Sequence, residues 1–225
     1  MRCSTIGNDC VGNLYTYFLG NRERPIHKWQ HYFPVYERHF APFAGRPCLF
    51  FEIGAGAGGS AQMWKRYFGP YAKIVSIDIN PACKSFEESQ IDVRIGSQDD
   101  VAFLSSVIEE FGQPDIVLDD GSHMMNHIIS SFNFLYPRLS RQGIYLVEDL
   151  HTAYWDEYGG GVRKEGTFIE LCKNLIDELN ADHARGVVQP TDFTKATTSI
   201  CFYDSIVVFE KSKFISKESI MTGNE

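Results

Sequence analysis

A chain of 225 residues, 44% of them apolar, is long for one ordinary domain and short for two, so the expectation is one domain with short appendages. With 21 basic residues against 29 acidic ones and a formal charge of −8, it offers no broad phosphate-binding face, and a nucleic-acid partner is disfavoured. No apolar run approaches the roughly 18 residues that span a bilayer, and no basic start leads into an apolar stretch, so neither a membrane partner nor export is expected. The six cysteines (Cys3, Cys10, Cys48, Cys83, Cys172 and Cys201) are scattered without a CxxC pair, which fits a reducing, cytoplasmic setting.

Residues 1 to about 27 mix Gly, Asn, Arg and aromatics without a sustained period and read as an irregular or partly helical lead-in. From 28 to 43, aromatic and His residues (Trp29, His31, Tyr32, Phe33, Tyr36, His39, Phe40) alternate with charged ones, as in a helix packed on a sheet. The segment 1–45 is therefore read as an N-terminal cap, 46–212 as the principal domain and 213–225 as a flexible tail. Short β-rich runs at 48–53, 73–77, 93–95, 115–118 and 143–147 are separated by stretches long enough for crossover helices. They predict a mostly parallel sheet with helices on both faces. After a helical stretch at 168–179, the runs 199–203 and 206–209 are joined only by Asp204 and Ser205, a turn that can connect only antiparallel strands.

The densest local signal is Glu52-Ile53-Gly54-Ala55-Gly56-Ala57-Gly58-Gly59-Ser60, between the first strand and the next helix. A Cβ there would block both the tight turn and the approach of a ligand to the backbone. Gly54, Gly56 and Gly59 also satisfy GxGxxG, and Asp78 ends the second strand where a ribose-binding acid belongs. On these residues alone, adenosylmethionine and a nicotinamide dinucleotide remain open.

Two acidic pairs end neighbouring strands: Asp119-Asp120, followed by Gly121-Ser122-His123, and Glu148-Asp149. In an open α/β sheet ligands bind beyond the carboxyl ends of the strands, so both pairs should face the crevice of the glycine loop. Converging acids repel one another unless protons or a cation intervene, and hard oxygen donors without a thiolate suit Mg²⁺, Mn²⁺ or Ca²⁺ better than zinc. His123, three residues past Asp120, is placed to act as a general base.

Several of these features resemble known families. Glu52 before the first glycine resembles the acidic opening of methyltransferase motif I, whose carboxylate helps organise the amino-acid end of the cofactor. Gly96-Ser97-Gln98-Asp99-Asp100 stands where that family places its adenine-contacting loop, with Ser97 where relatives commonly carry Asp. The terminal hairpin resembles the class I methyltransferase fold, a Rossmann-like α/β architecture. More specifically, DIVLDDGSH (115–123), GIYLVEDLHTAYW (143–155), the glycine loop and Lys28-Trp29 together resemble the metal-dependent macrolide sugar O-methyltransferases of the mycinamicin and macrocin type, over about residues 28–160.

That resemblance implies an S-adenosylmethionine-dependent O-methyltransferase acting on a hydroxyl of a sugar or glycosylated small molecule in natural-product biosynthesis. It implies Asp120, Glu148 and Asp149 as ligands of a divalent metal, expected to be Mg²⁺, with His123 as the base. Glu52, Gly54, Gly56, Gly58, Ser60, Asp78, Ser97, Gln98 and Asp119 would lie at the cofactor, and Lys28, Tyr154 and Trp155 at the substrate. A counterpart of the additional N-terminal domain of the mycinamicin-type enzymes is not expected here, so oligomer and acceptor are not carried over, and homo-oligomerisation stays open. The alternatives are a metal-dependent catechol or vicinal-diol methyltransferase, a nicotinamide oxidoreductase, and a non-catalytic cofactor-binding protein.

Overall fold

The computed structural model describes residues 13–212 and 217–223. Parts of the expected lead-in and tail, with Cys3 and Cys10, lie outside the described residues. In chain order the elements are α1 (Asn13–Gly20), α2 (Phe33–Phe40), β1 (Cys48–Ile53), α3 (Gly59–Phe68), β2 (Ala72–Asp78), β3 (Ile91–Ile95), α4 (Val101–Phe111) and β4 (Ile116–Asp119). They continue with α5 (Met125–Leu135), β5 (Ile144–Val147), α6 (Phe168–Leu179), α7 (Asp192–Ala196), β6 (Thr197–Tyr203) and β7 (Ile206–Lys211). The strands form one sheet in the order β3-β2-β1-β4-β5-β7-β6. β1 to β5 run parallel, and β7 enters antiparallel between β5 and β6. This is the Rossmann-like class I methyltransferase architecture expected from the strand spacing and the late hairpin.

Because both faces of the sheet are covered, alternate residues of one strand feed two different cores. Phe51, Ile53, Val75, Val117, Tyr145 and Val147 pack under α4, α5 and α6 with Phe132 and Phe168. Phe50, Ile74, Leu118 and Leu146 pack on the other side with Tyr32, Phe33, Tyr36 and Phe40 from the α2 region and Trp64 and Phe68 of α3. Fully burying such a side chain is worth about 1.5–3 kcal/mol relative to exposure, so the ring cluster around Trp64 is what fastens α2 to the sheet. α2 is thereby part of the same hydrophobic layer as the glycine-loop helix α3. Just ahead of it, Arg24 and Pro25 lay their carbonyls against Gly59, where an added Cβ would come within 2.4 Å of both.

The order reverses between β1 and β4, the switch point where ligands enter such sheets. Gly54 is the joint there. Its amide donates to the Ile77 carbonyl at 2.7 Å, and an added Cβ would meet the Asp120 carbonyl oxygen at 2.0 Å.

Candidate active site

The crevice at the switch point is lined on one side by Gly54, Asp78, Ile79, Ser97, Ser122 and His127. Gly56 has φ +52°, and nothing lies within 4 Å of where its Cβ would be, so the loop leaves open space over its backbone. Behind it α3 begins at Gly59, preceded by Gly58 and without a side-chain cap, which leaves its first amides, that of Ser60 among them, to another partner. Asp78 holds the loop in shape: one oxygen accepts from the amides of Ala55 (2.9 Å) and Gly56 (3.2 Å), and the other accepts from Asn80 at 2.8 Å. The Ser97 hydroxyl bonds Asp99, whose carboxylate also meets His127 Nε2 at 3.3 Å. Ile79 and Ser122 carry no sequence signal for this place, and His127, which one helical turn beyond His123 reads as a structural histidine, lines the crevice as well.

Two acids expected at the cofactor face inward instead. Glu52 is completely buried, with its oxygens accepting from Trp64 Nε1 and the Ser76 hydroxyl, each at 3.0 Å. Asp119, also buried, accepts from Gln98 Nε2 (3.0 Å), the Ser131 hydroxyl (2.7 Å) and the Tyr145 hydroxyl (3.0 Å). Burial pushes both carboxyls above the usual range. They brace the crevice from behind, and Gln98 joins them: its Oε1 accepts from the Ser122 amide at 2.7 Å.

The other side of the crevice is acidic. Asp120 and Glu148 follow β4 and β5, and the buried Lys28 ammonium donates to both, to Asp120 Oδ2 and to Glu148 Oε1 at 2.6 Å. Lys28, expected at the substrate, has only 1% of its side chain exposed, so it is a buried counter-ion and not part of the substrate wall. Tyr36 donates to Glu148 Oε2, and Tyr32 donates to Asp149 Oδ1 at 2.6 Å. Burial pushes Glu148 up to about 8, with Asp120 acting in the same direction and Lys28 pulling back. Asp120 is pushed up to about 6, again by burial first and against Lys28.

With those partners assigned, one oxygen of Asp120 and one of Asp149 still face the crevice. Asp120 Oδ1 and Asp149 Oδ2 lie 3.8 and 3.7 Å from His123 Nε2, too far for hydrogen bonds. The three side chains offer ligand atoms all within 4.8 Å of one another. The two carboxylate oxygens, with the buried Glu148 behind them, fit a hard divalent cation, and the imidazole stands beside them where a base is needed. His123 and Asp149 both have left-handed backbone, at φ +58° and +56°. Thr152 ties the two turns together, its hydroxyl 2.7 Å from the Asp149 carbonyl and 3.5 Å from that of His123.

Aromatic side chains ring this mouth. Trp29 meets His151 edge-on at 5.8 Å, His151 meets Trp155 at 4.9 Å, Trp155 meets Tyr158 at 5.9 Å, and Tyr158 meets His123 at 6.3 Å. Trp29 and Trp155 remain 50% and 45% exposed, whereas Tyr154, also expected at the substrate, is 54% exposed and lines a separate groove with Ile169, Ile176 and Phe202.

No protein-family model matches the chain. It is 38% identical over 197 residues to the 8-demethyl-8-(2-methoxy-alpha-L-rhamnosyl)-tetracenomycin-C 3'-O-methyltransferase of Streptomyces olivaceus, covering 82% of this chain and 50% of that protein. To the mycinamicin VI 2''-O-methyltransferase of Micromonospora griseorubida it is 34% identical over 199 residues, covering 81% and 49%. The structure of the MycE methyltransferase of the mycinamycin biosynthetic pathway, in complex with Mg, SAH and mycinamycin VI, superposes with a TM-score of 0.77 at 31% identity, over 89% of this chain and 53% of that one. The chain thus spans about half the length of the curated relatives it matches. By sequence and by fold, it belongs with the class I S-adenosylmethionine-dependent methyltransferases, in the group of the macrolide and tetracenomycin sugar O-methyltransferases.

Proposed function

We propose that this chain methylates a hydroxyl of a sugar carried on a small natural product, in the cytoplasm, using S-adenosylmethionine and a divalent cation, Mg²⁺ by the chemistry of the donors. The observation that carries the reading is the convergence of Asp120 Oδ1, Asp149 Oδ2 and His123 Nε2 at the mouth of a glycine-lined crevice. It is supported by the similarity to a structure described with Mg, SAH and a glycosylated macrolide.

The sulfonium of S-adenosylmethionine supplies an activated methyl group, so the protein has mainly to align an acceptor oxygen and remove its proton. Asp120, Asp149 and Glu148 would hold a divalent cation, which would supply positive charge favouring the acceptor's alkoxide. The open backbone at Gly56 and the pocket around Asp78, Ser97 and His127 receive the cofactor. His123 Nε2 takes the acceptor proton. Tyr32 and Tyr36 hold Asp149 and Glu148 in place from behind. Trp29, Trp155 and Tyr158 provide apolar rings for the faces of a sugar and narrow the access of water.

The test is incubation with S-adenosylmethionine, Mg²⁺ and a panel of rhamnosylated and deoxyhexose-bearing polyketides, read by mass spectrometry. A gain of one methyl that chelator abolishes is the expected result. Binding of NADH without binding of adenosylhomocysteine, or methyl transfer at full rate in excess EDTA, would overturn the reading.

A further inference from the structure

Lys28 reaches the site from ahead of α2. Its ammonium sits among three acids: it donates to Asp120 Oδ2 and Glu148 Oε1, and feels Glu52 behind them. The oxygens of Asp120 are divided: Oδ2 faces the ammonium inside, and Oδ1 faces the crevice with Asp149 Oδ2.

We propose that Lys28 is a positioning residue for the divalent cation, a built-in monovalent counter-ion that keeps Asp120 and Glu148 assembled without metal and holds the site's affinity for a divalent ion low. The inference rests on the reading that a cation binds here. The ammonium bridges the two buried acids, and that bridge preserves their arrangement between turnovers. An arriving ion then shares Asp120 with a cation on the other edge of the same carboxylate, and the two repel. It also meets Glu148 with Oε1 already engaged by Lys28 and Oε2 by Tyr36. A site built this way holds its ion loosely until acceptor oxygens complete the shell, so cation and acceptor arrive and leave together.

The measurement is Mn²⁺ binding followed by the EPR signal of free Mn²⁺, at one pH held constant across the variants so that proton competition for the ligands is the same in each. Lys28→Met, which keeps the bulk and removes the charge, should bind Mn²⁺ at least about tenfold more tightly than the parent, given that one charge at this range shifts equilibria by one to three decades. Lys28→Arg, which restores the charge, should return the affinity to within about threefold of the parent, the usual scatter between similar interactions. Equal or weaker Mn²⁺ binding by a Lys28→Met protein that still binds adenosylhomocysteine overturns the role of Lys28 alone. Absence of Mn²⁺ binding in every protein overturns both this role and the cation in the reaction. Should Lys28→Met fail to fold, the unmutated protein decides. The ¹⁵N resonance of the Lys28 ammonium, assigned by its loss in Lys28→Arg, should persist and shift on Mg²⁺ addition; a resonance indifferent to saturating Mg²⁺ overturns the proposal.

Discussion

On the β1–β3 side the crevice is built of backbone: a glycine loop, uncapped amides of α3 and one aspartate that holds the loop in shape. On the β4–β5 side it presents side chains, carboxylates whose positions are set by a lysine and two tyrosines from the far layer. Backbone sites are local, because consecutive residues make them. Side-chain sites of this kind are assembled across the fold: Lys28 lies 92 residues from Asp120 and 120 from Glu148 along the chain. The first should tolerate distant changes and fail at its own glycines, whereas the second should be sensitive to residues that touch neither cofactor nor acceptor.

The severest break is at the joint. Gly54→Ala would drive a methyl into the Asp120 carbonyl from a left-handed backbone, so both adenosylhomocysteine and Mn²⁺ binding should be lost in calorimetry. Gly56→Val, which projects into open space, should abolish adenosylhomocysteine binding and leave Mn²⁺ binding within about twofold, a difference no larger than ordinary context effects. Loss of both ligands in Gly56→Val would show that the halves are not separable.

His123 sharpens the contrast within the acidic half. As a base it should be needed for turnover and not for binding. His123→Ala should lose about 10²- to 10⁴-fold in kcat with both affinities retained. A matching loss of Mn²⁺ affinity would make it a ligand, a role its place beside Asp120 and Asp149 also permits. Tyr36→Phe removes one buried hydroxyl from Glu148 and should weaken Mn²⁺ binding about tenfold, the lower end for an outer-shell partner, while cofactor binding stays unchanged. An unchanged Mn²⁺ affinity would detach α2 from the site.

The smallest effect lies away from the crevice, on β7, and serves as the control. Glu210 is held below the ordinary glutamate value, first by its hydrogen bond to His39. An acid with a lowered folded value contributes stability that is complete above its unfolded pKa, about 4.3, and disappears as pH falls through the folded value. Glu210→Gln should therefore lower Tm at neutral pH, converge with the parent in acid, and leave both ligand affinities unaltered. Convergence on the alkaline side would reverse the assignment.

What could be read in the sequence follows the same division. The strands, the glycine loop, Asp78 and the acidic strand ends are short contiguous patterns, and each expected strand lies within two residues of an observed one. The family resemblance places Glu52 and Asp119 at the cofactor. Strand alternation puts them elsewhere: Glu52 shares the face of Phe50, and Asp119 the face of Val117, each pointing into a core. Tyr32 and Tyr36, four apart on a helical stretch, look like packing and are packing; what their hydroxyls bond depends on β5, more than a hundred residues later. Lys28 was recognisable as part of a motif, but its burial was not, since nothing local requires a lysine to be enclosed.

The left-handed backbone at His123 and Asp149 sets the demands of heat resistance and chemistry against each other. A non-glycine residue held there costs about 1–3 kcal/mol, less for Asp, which tolerates this region better than most residues. Glycine at either position would relieve that cost and delete the side chain that the turn exists to aim. A laboratory lineage selected for survival on heating and never assayed for turnover should accumulate glycine at 123 and 149. It would end as a tougher protein with an empty catalytic mouth.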